Sequence, residues 1–214
     1  MKNINKYINE KLHVTTKSHI QRYTCQPKNK DELRKIIIQR IQDEGNDCDL
    51  NDIDVSKITD MGNLLNATRY GRPIFKDFNG DISDWDVSNV TNMASMFDGC
   101  KKFRCDLSSW NVSNAINMTR MFGGCEKFNC DISHWNISNV KYIGNMFNKC
   151  TNFNCDLSSW DISKVTDITM LFYYCKKFNQ NLDKWNVSNV KDMYNTFYDY
   201  PTTPKWYDRN RWAK

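Results

Sequence analysis

The stretch WNVSNAINMTRMFGGCEKFNCDISHWNISNV, residues 110–140, contains one phrase twice: Trp-Asn-Val-Ser-Asn returns as Trp-Asn-Ile-Ser-Asn after 25 residues. Working outward, the step holds along most of the chain. Trp85, Trp110, Trp135, Trp160 and Trp185 keep it without a gap, as do Phe97, Phe122, Phe147, Phe172 and Phe197, and Phe78, Phe103, Phe128, Phe153 and Phe178. Cys100, Cys125, Cys150 and Cys175 form another column, and Cys105, Cys130 and Cys155 one more. A degenerate copy comes first: CDLNDIDVSKITDM (48–61) matches CDLSSWNVSNAINM (105–118), with Ile53 in the Trp position. The segment 66–78 then carries a seven-residue insertion.

A 25-residue unit is too small to bury its own Phe and Trp, so stability must come from contacts between stacked neighbours. Within each unit, Phe-x-Cys-x-Leu/Ile alternates apolar and polar residues, as in FRCDL (103–107), which predicts a short half-buried strand. VTNMASMFDGC (90–100) spaces its apolar residues by three and four, which predicts a short α- or 3-10 helix. The expected fold class is therefore α/β: a leucine-rich-repeat-like solenoid with one short parallel strand and one short helix per unit.

The unit W-x-V-S-x-V-x-x-M-x-x-M-F-x-x-C-x-x-F-x-x-D-L-S resembles the repeat of BspA-like leucine-rich-repeat proteins, a type found in bacterial surface proteins and mycoplasma lipoproteins. The resemblance spans about residues 48–200. It implies a curved repeat solenoid and a role in adhesion or protein binding.

Three segments are expected: an N-terminal strand-helix cap over 1–47, a solenoid of about six coils over 48–200, and a C-terminal cap or tail over 201–214. HIQRYTC (19–25) suits a strand, and NKDELRKIIIQRIQDEG (29–45) suits a helix. Asn29 and Glu32 can form a capping box, Leu33, Ile36, Ile37 and Ile41 share a face, and Gly45 suits the stop. Trp206 and Trp212, with Arg209 and Arg211, can cover the last coil.

The chain has 214 residues and a net charge of +5, with charges interspersed rather than gathered into the dense basic stripe of a nucleic-acid binder. No apolar run reaches membrane-spanning length, and MKNINKYINEKLHV has no secretory apolar stretch, so a cytoplasmic location is expected. The family resemblance keeps a cell surface or virion location open. Seven Trp, eleven Phe and ten Tyr argue for a folded chain. The nine Cys read chiefly as stacked reduced thiols, with disulfide or metal as the lesser alternatives.

No catalytic constellation is present: His13, His19 and His134 are scattered, and there is no phosphate-binding glycine loop. No cofactor or metal is expected, and the chain is read as a non-enzyme. Asp81, Asp106, Asp131 and Asp156 form an acidic column. Its carboxylates can accept backbone or Ser hydrogen bonds, coordinate calcium, or meet a basic partner. Non-periodic positions are the candidates for discriminating a partner. They are Tyr173, Tyr174, Lys176, Lys177, Tyr194 and Tyr198 near the last coils, and Arg104, His134 and Lys184 on the strand segment. The functional expectation is a monomeric repeat scaffold that binds a protein partner, with a surface or virion structural component and a calcium-dependent module as alternatives.

Overall fold

The computed structural model describes residues 23–69, 73–198 and 203–208. The helix expected from the capping signals forms as α1, Lys30–Glu44. The Asn29 side chain accepts from the N–H groups of Asp31 and Glu32, and Gly45 ends the helix at φ 91° with its N–H on the Ile41 carbonyl. The Glu32 carboxylate reaches back to the Lys28 N–H at 2.8 Å. Leu33, Ile37 and Ile41, four residues apart, are buried, and Ile36 only partly so. From the expected strand 19–25, Cys25 makes an isolated parallel bridge to Ile53, while His19 to Arg22 lie outside the described residues.

The α/β solenoid expected for the repeats is not what forms. Among the described residues there is one α-helix, one 3-10 turn at Pro73–Phe75, and no strand longer than an isolated bridge. The segment 103–107 is neither strand nor bridge. The bridges at Asn92, Asn117, Tyr142, Asp167 and Asp192 fall inside the segment expected to be helical, and of the segments expected to be strands only those of the first two units are bridged, at Asp49 and Asp81.

Tight turns take the place of both elements. In the unit that contains Trp85, backbone N–H groups bond three residues back at Trp85 to Ile82, Val90 to Val87, Met96 to Met93, Cys100 to Phe97, and Phe103 to Cys100. The third residue of two of these turns has positive φ, at Ser95 (56°) and Gly99 (84°). The same positions are positive at Arg120 and Gly124, Asn145 and Lys149, and Met170 and Tyr174. Positive φ at that place with an i to i+3 bond is the mark of a type II turn.

Each such turn places its first and last side chains inward, so its apolar spacing is three. A helical turn produces the same spacing, and the bonding of the intervening N–H groups distinguishes the two. Met93, Ser95, Phe97 and Gly99 donate not along the chain but to Asn117, Thr119, Met121 and Gly123, one unit on, at 2.7–2.9 Å. Alternate amides therefore close local turns and tie neighbouring units in parallel. Gly99 is needed twice over: its φ is positive, and a Cβ there would lie 2.6 Å from the Thr68 methyl.

The columns stack as the period demands. Phe97, Phe122, Phe147 and Phe172 lie face to face at centroid separations of 5.5–6.0 Å, and all are buried. Each such ring removes on the order of 1.5–3 kcal/mol of apolar surface from water. Each indole of the repeat column donates to a carbonyl of the preceding unit: Trp85 to Leu50, Trp110 to Ile82, Trp135 to Leu107, Trp160 to Ile132 and Trp185 to Leu157, at 2.9–3.2 Å. Trp206 extends this column by donating to Leu182 at 2.8 Å, and Tyr207 sets its edge on Phe197. Trp212, Arg209 and Arg211 lie outside the described residues.

Candidate functional site

Two of the candidate columns are accounted for by hydrogen bonding within the chain. In the acidic column, Asp81, Asp106, Asp131 and Asp156 each accept the N–H of the Ser two residues on, at 2.8–3.0 Å. Those backbone bonds lower the carboxyl pKa values at all four positions. The geometry is a local Asx turn, repeated unit after unit. Among the described residues, no group of three or more His, Cys, Asp or Glu is arranged to hold a metal ion.

All nine cysteines are free thiols. Cys100, Cys125, Cys150 and Cys175 are buried and donate from Sγ to Leu65, Phe97, Phe122 and Phe147 carbonyls of the preceding unit at 2.8–3.1 Å. Burial holds their pKa values well above the ordinary thiol value. The half-buried Cys105, Cys130 and Cys155 accept the N–H of Ile82, Leu107 and Ile132. Burial pushes them up to about 11, 12 and 11 respectively. Protonated thiols of this kind are structural groups rather than nucleophiles.

The aromatic candidates converge. Tyr173 and Tyr174 meet edge to face at 4.6 Å, and Tyr198 packs on both, at 4.7 and 5.3 Å. Tyr198 is 45% exposed, and Lys176 and Lys177 are exposed just beyond. Tyr194 is exposed on the same unit as Tyr198, with its N–H on the Asp192 side chain.

Tyr174, at φ 57°, occupies the turn position that Gly99, Gly124 and Lys149 hold three, two and one units earlier. A bulky side chain in that region costs on the order of 1 kcal/mol. Tyr173 and Tyr198 occupy the place of Asp98, Gly123 and Asn148. Three units apart, one position thus changes from a buried carboxylate to an aromatic cluster.

The remaining candidates stand apart from this cluster. His134 contacts the Ser108 carbonyl through Nε2 at 2.6 Å, so that nitrogen carries the proton; Ser109 and Ser159 make the equivalent bond in their units. Lys184 is exposed and lowers the Asp156 pKa, after the larger effect of the Ser158 hydrogen bonds. Arg104 is exposed beside Lys127.

Sequence reasoning missed two features. Asp98 is 4% exposed, with Arg120 on both its oxygens at 3.1 and 3.2 Å and the Thr68 hydroxyl at 2.9 Å. Nothing in a 25-residue period pairs positions 22 apart. Tyr142, 44% exposed, stands where neighbouring units carry Asn92, Asn117, Asp167 and Asp192, and that break in the column was visible.

With the stack and its variable edge described, the comparisons with known proteins identify the family. The model of the family described as "Mycoplasma protein of unknown function, DUF285" matches over residues 37–141 and again over 110–208. The chain belongs to the DUF285 family. The two overlapping matches tile the DUF285 repeat across the stacked units and leave its activity open. No curated protein and no solved structure matches. In this DUF285 chain no described helix is long and apolar enough to cross a membrane.

Proposed function

We propose that this chain is a non-enzymatic repeat scaffold that binds a protein partner through its tyrosine edge. The observation that carries the reading is the Tyr173–Tyr174–Tyr198 cluster. It stands at positions where earlier units place Asp98, Gly123 and Asn148 in one column and Gly99, Gly124 and Lys149 in the other, and Tyr174 keeps the positive φ of its column. Stack formation does not call for tyrosine at these positions, since the preceding units pack the same core with Gly123 and Gly124. A tyrosine cluster whose Tyr198 is exposed supports a binding role, because Tyr contributes large rigid contact area at low entropic cost. Lys176 and Lys177 supply a polar rim that suits an acidic border on the partner. The resemblance of the unit to BspA-like repeats supports an adhesion-type role.

The test is affinity capture from the native source with wild type and with the triple variant Tyr173→Ala, Tyr174→Gly, Tyr198→Ala. The variant is expected to lose the wild-type partner. Tyr174→Gly alone is expected to leave the melting temperature unchanged or raise it, because it relieves the backbone strain. Undiminished capture by the triple variant refutes the tyrosine edge as the interface.

A further inference from the structure

The backbone rungs between units have a direction, and the last unit leaves them open. Met93, Met118, Ile143 and Ile168 donate their N–H groups to carbonyls of the following unit, at Asn117, Tyr142, Asp167 and Asp192, over 2.8–3.3 Å. Two residues on, Ser95, Arg120, Asn145 and Met170 do the same, to Thr119, Gly144, Thr169 and Tyr194, at 2.7–3.0 Å. In the opposite sense, the carbonyls of Thr91, Ile116, Lys141 and Thr166 accept the N–H groups of Ile116, Lys141, Thr166 and Lys191 at 2.8–3.0 Å. In the last unit these places fall on the Met193 N–H, the Asn195 N–H and the Lys191 carbonyl. None of the three has such a bond among the described residues. Lys191, Asp192 and Tyr194 are exposed, so the edge faces solvent.

The opposite end of this ladder is closed. There Arg34 donates to the Leu64 and Asn63 carbonyls at 3.0 and 3.2 Å, and Leu33 and Ile37 are buried beside it. A second copy stacked head to tail would have to displace α1 before its carbonyls could meet the open edge. Nor does the edge complement itself. The Met193 and Asn195 carbonyls are turned onto the Thr196 and Tyr198 N–H groups of their own unit, which leaves two donors against one acceptor. A two-fold pair of such edges would set donors against donors. The described tail is engaged elsewhere, with Trp206 on the Leu182 carbonyl and Lys205 on the Asp183 carboxylate. What fits is a separate chain in extended form, which offers carbonyls at every second residue along one edge.

We infer that the edge 191–195 receives an extended segment of a protein partner as one further rung, parallel to the last unit. One N–H of the segment donates to the Lys191 carbonyl, and two of its carbonyls, two residues apart, accept from Met193 and Asn195. The residue between those two carbonyls continues the column Met93, Met118, Ile143, Ile168 and Met193, which is buried throughout, so an apolar side chain belongs there. Tyr194 and Tyr198 are 37% and 45% exposed on the same unit, which makes the edge continuous with the tyrosine cluster. The inference rests on the reading of the chain as a protein binder and adds the form of the bound segment, but it does not depend on the tyrosines.

The test uses the full chain and a free peptide with the sequence VTNMASM of residues 90–96, which carries the required register and apolar residue. In the chain alone, hydrogen exchange at the Met193 and Asn195 amides is expected to be about tenfold or more faster than at Ile168 and Met170, whose amides are bonded to the next unit. Saturating peptide should slow Met193 and Asn195 to a similar extent. N-methylation of the peptide threonine removes the donor to Lys191 and should weaken binding about fivefold, the effect of one hydrogen bond. N-methylation of the central methionine should leave binding unchanged, because that N–H faces away from the stack. The tyrosine triple variant should retain the peptide, and excess peptide should displace the partner that wild type captures. The two readings therefore fail separately: undiminished capture by the triple variant removes the tyrosines and leaves the edge. The inference is overturned if Met193 and Asn195 are already protected in the chain alone, as a second copy seated there would make them. It is equally overturned if the peptide does not slow them, if the two N-methylated peptides bind alike, if the triple variant loses the peptide, or if excess peptide leaves the partner bound.

Discussion

The two ends of the stack meet the same problem with different chemistry. At each end, a layer of apolar side chains and a row of backbone carbonyls have no further unit to meet. At the N-terminal end α1 supplies both needs. Leu33, Ile37 and Ile41 enter the core, while Arg34 donates to the Asn63 and Leu64 carbonyls at 3.2 and 3.0 Å. Lys30 pairs with Asp60, and Arg40 with Asp52. At the C-terminal end Trp206 does what each repeat Trp does, donating its indole N–H to Leu182 and stacking on Trp185 at 6.3 Å. The first end is aliphatic and tied chiefly by charged side chains; the second is aromatic, tied by the neutral Trp206 bond and by Lys205, whose N–H and ammonium meet the Asp183 carboxylate at 2.8 and 3.8 Å. The ends should therefore respond differently to truncation, to isosteric replacement and to pH.

The largest effect is expected from Ile37→Ala. Ile37 is fully buried between α1 and the first unit, so the cavity should cost about 2–5 kcal/mol in chemical denaturation. Trp206→Ala comes next, at about 2–3 kcal/mol, because Trp206 is only partly buried. Trp206→Phe sharpens the contrast: it keeps most of the stacking and removes the bond to Leu182, for about 1 kcal/mol. A Phe variant as damaging as the Ala variant would show that the hydrogen bond, not the ring, holds this end.

Asn29→Ala should cost about 1 kcal/mol through the lost N-cap. Hydrogen exchange should show it as faster opening of α1 alone, with the C-terminal units unchanged.

The smallest effect is a difference in acid. Burial raises the Asp60 pKa, but the Lys30 hydrogen bond, the Gly62 N–H and the Lys30 charge outweigh it and leave the group below its ordinary value. A carboxyl depressed in the folded chain contributes stability above its unfolded pKa, near 4, and loses it as pH falls through the folded value. Below about pH 4 the α1 end should therefore loosen, followed by hydrogen exchange of α1 amides, while the neutral Trp206 contact should not respond directly. Lys30→Met should narrow that difference between the ends.

The positions of the buried columns were legible in the sequence, and so was α1. A period of 25 with Trp, Phe and Cys in fixed places leaves stacking as the only way to bury them. The caps of α1 are local chemistry, set by Asn29, Glu32 and Gly45 within one helix length. The convergence of Tyr173, Tyr174 and Tyr198 also follows from the period, because Tyr198 is one step from Tyr173.

The backbone of the repeats could not be read this way. Apolar residues three apart, as at Met93 and Met96, suit a helical turn and a type II turn equally. Only the donation of the Met93, Ser95 and Phe97 amides to the next unit selects the turn. The pairing of Asp98 with Arg120 likewise depends on where two turn corners lie in space, not on any recurring interval. The sequence by itself determined which side chains are buried and how often, because burial follows composition and period. The tertiary structure alone decided what each backbone amide bonds to. That choice is made by a neighbour in the next unit and leaves no mark in local spacing.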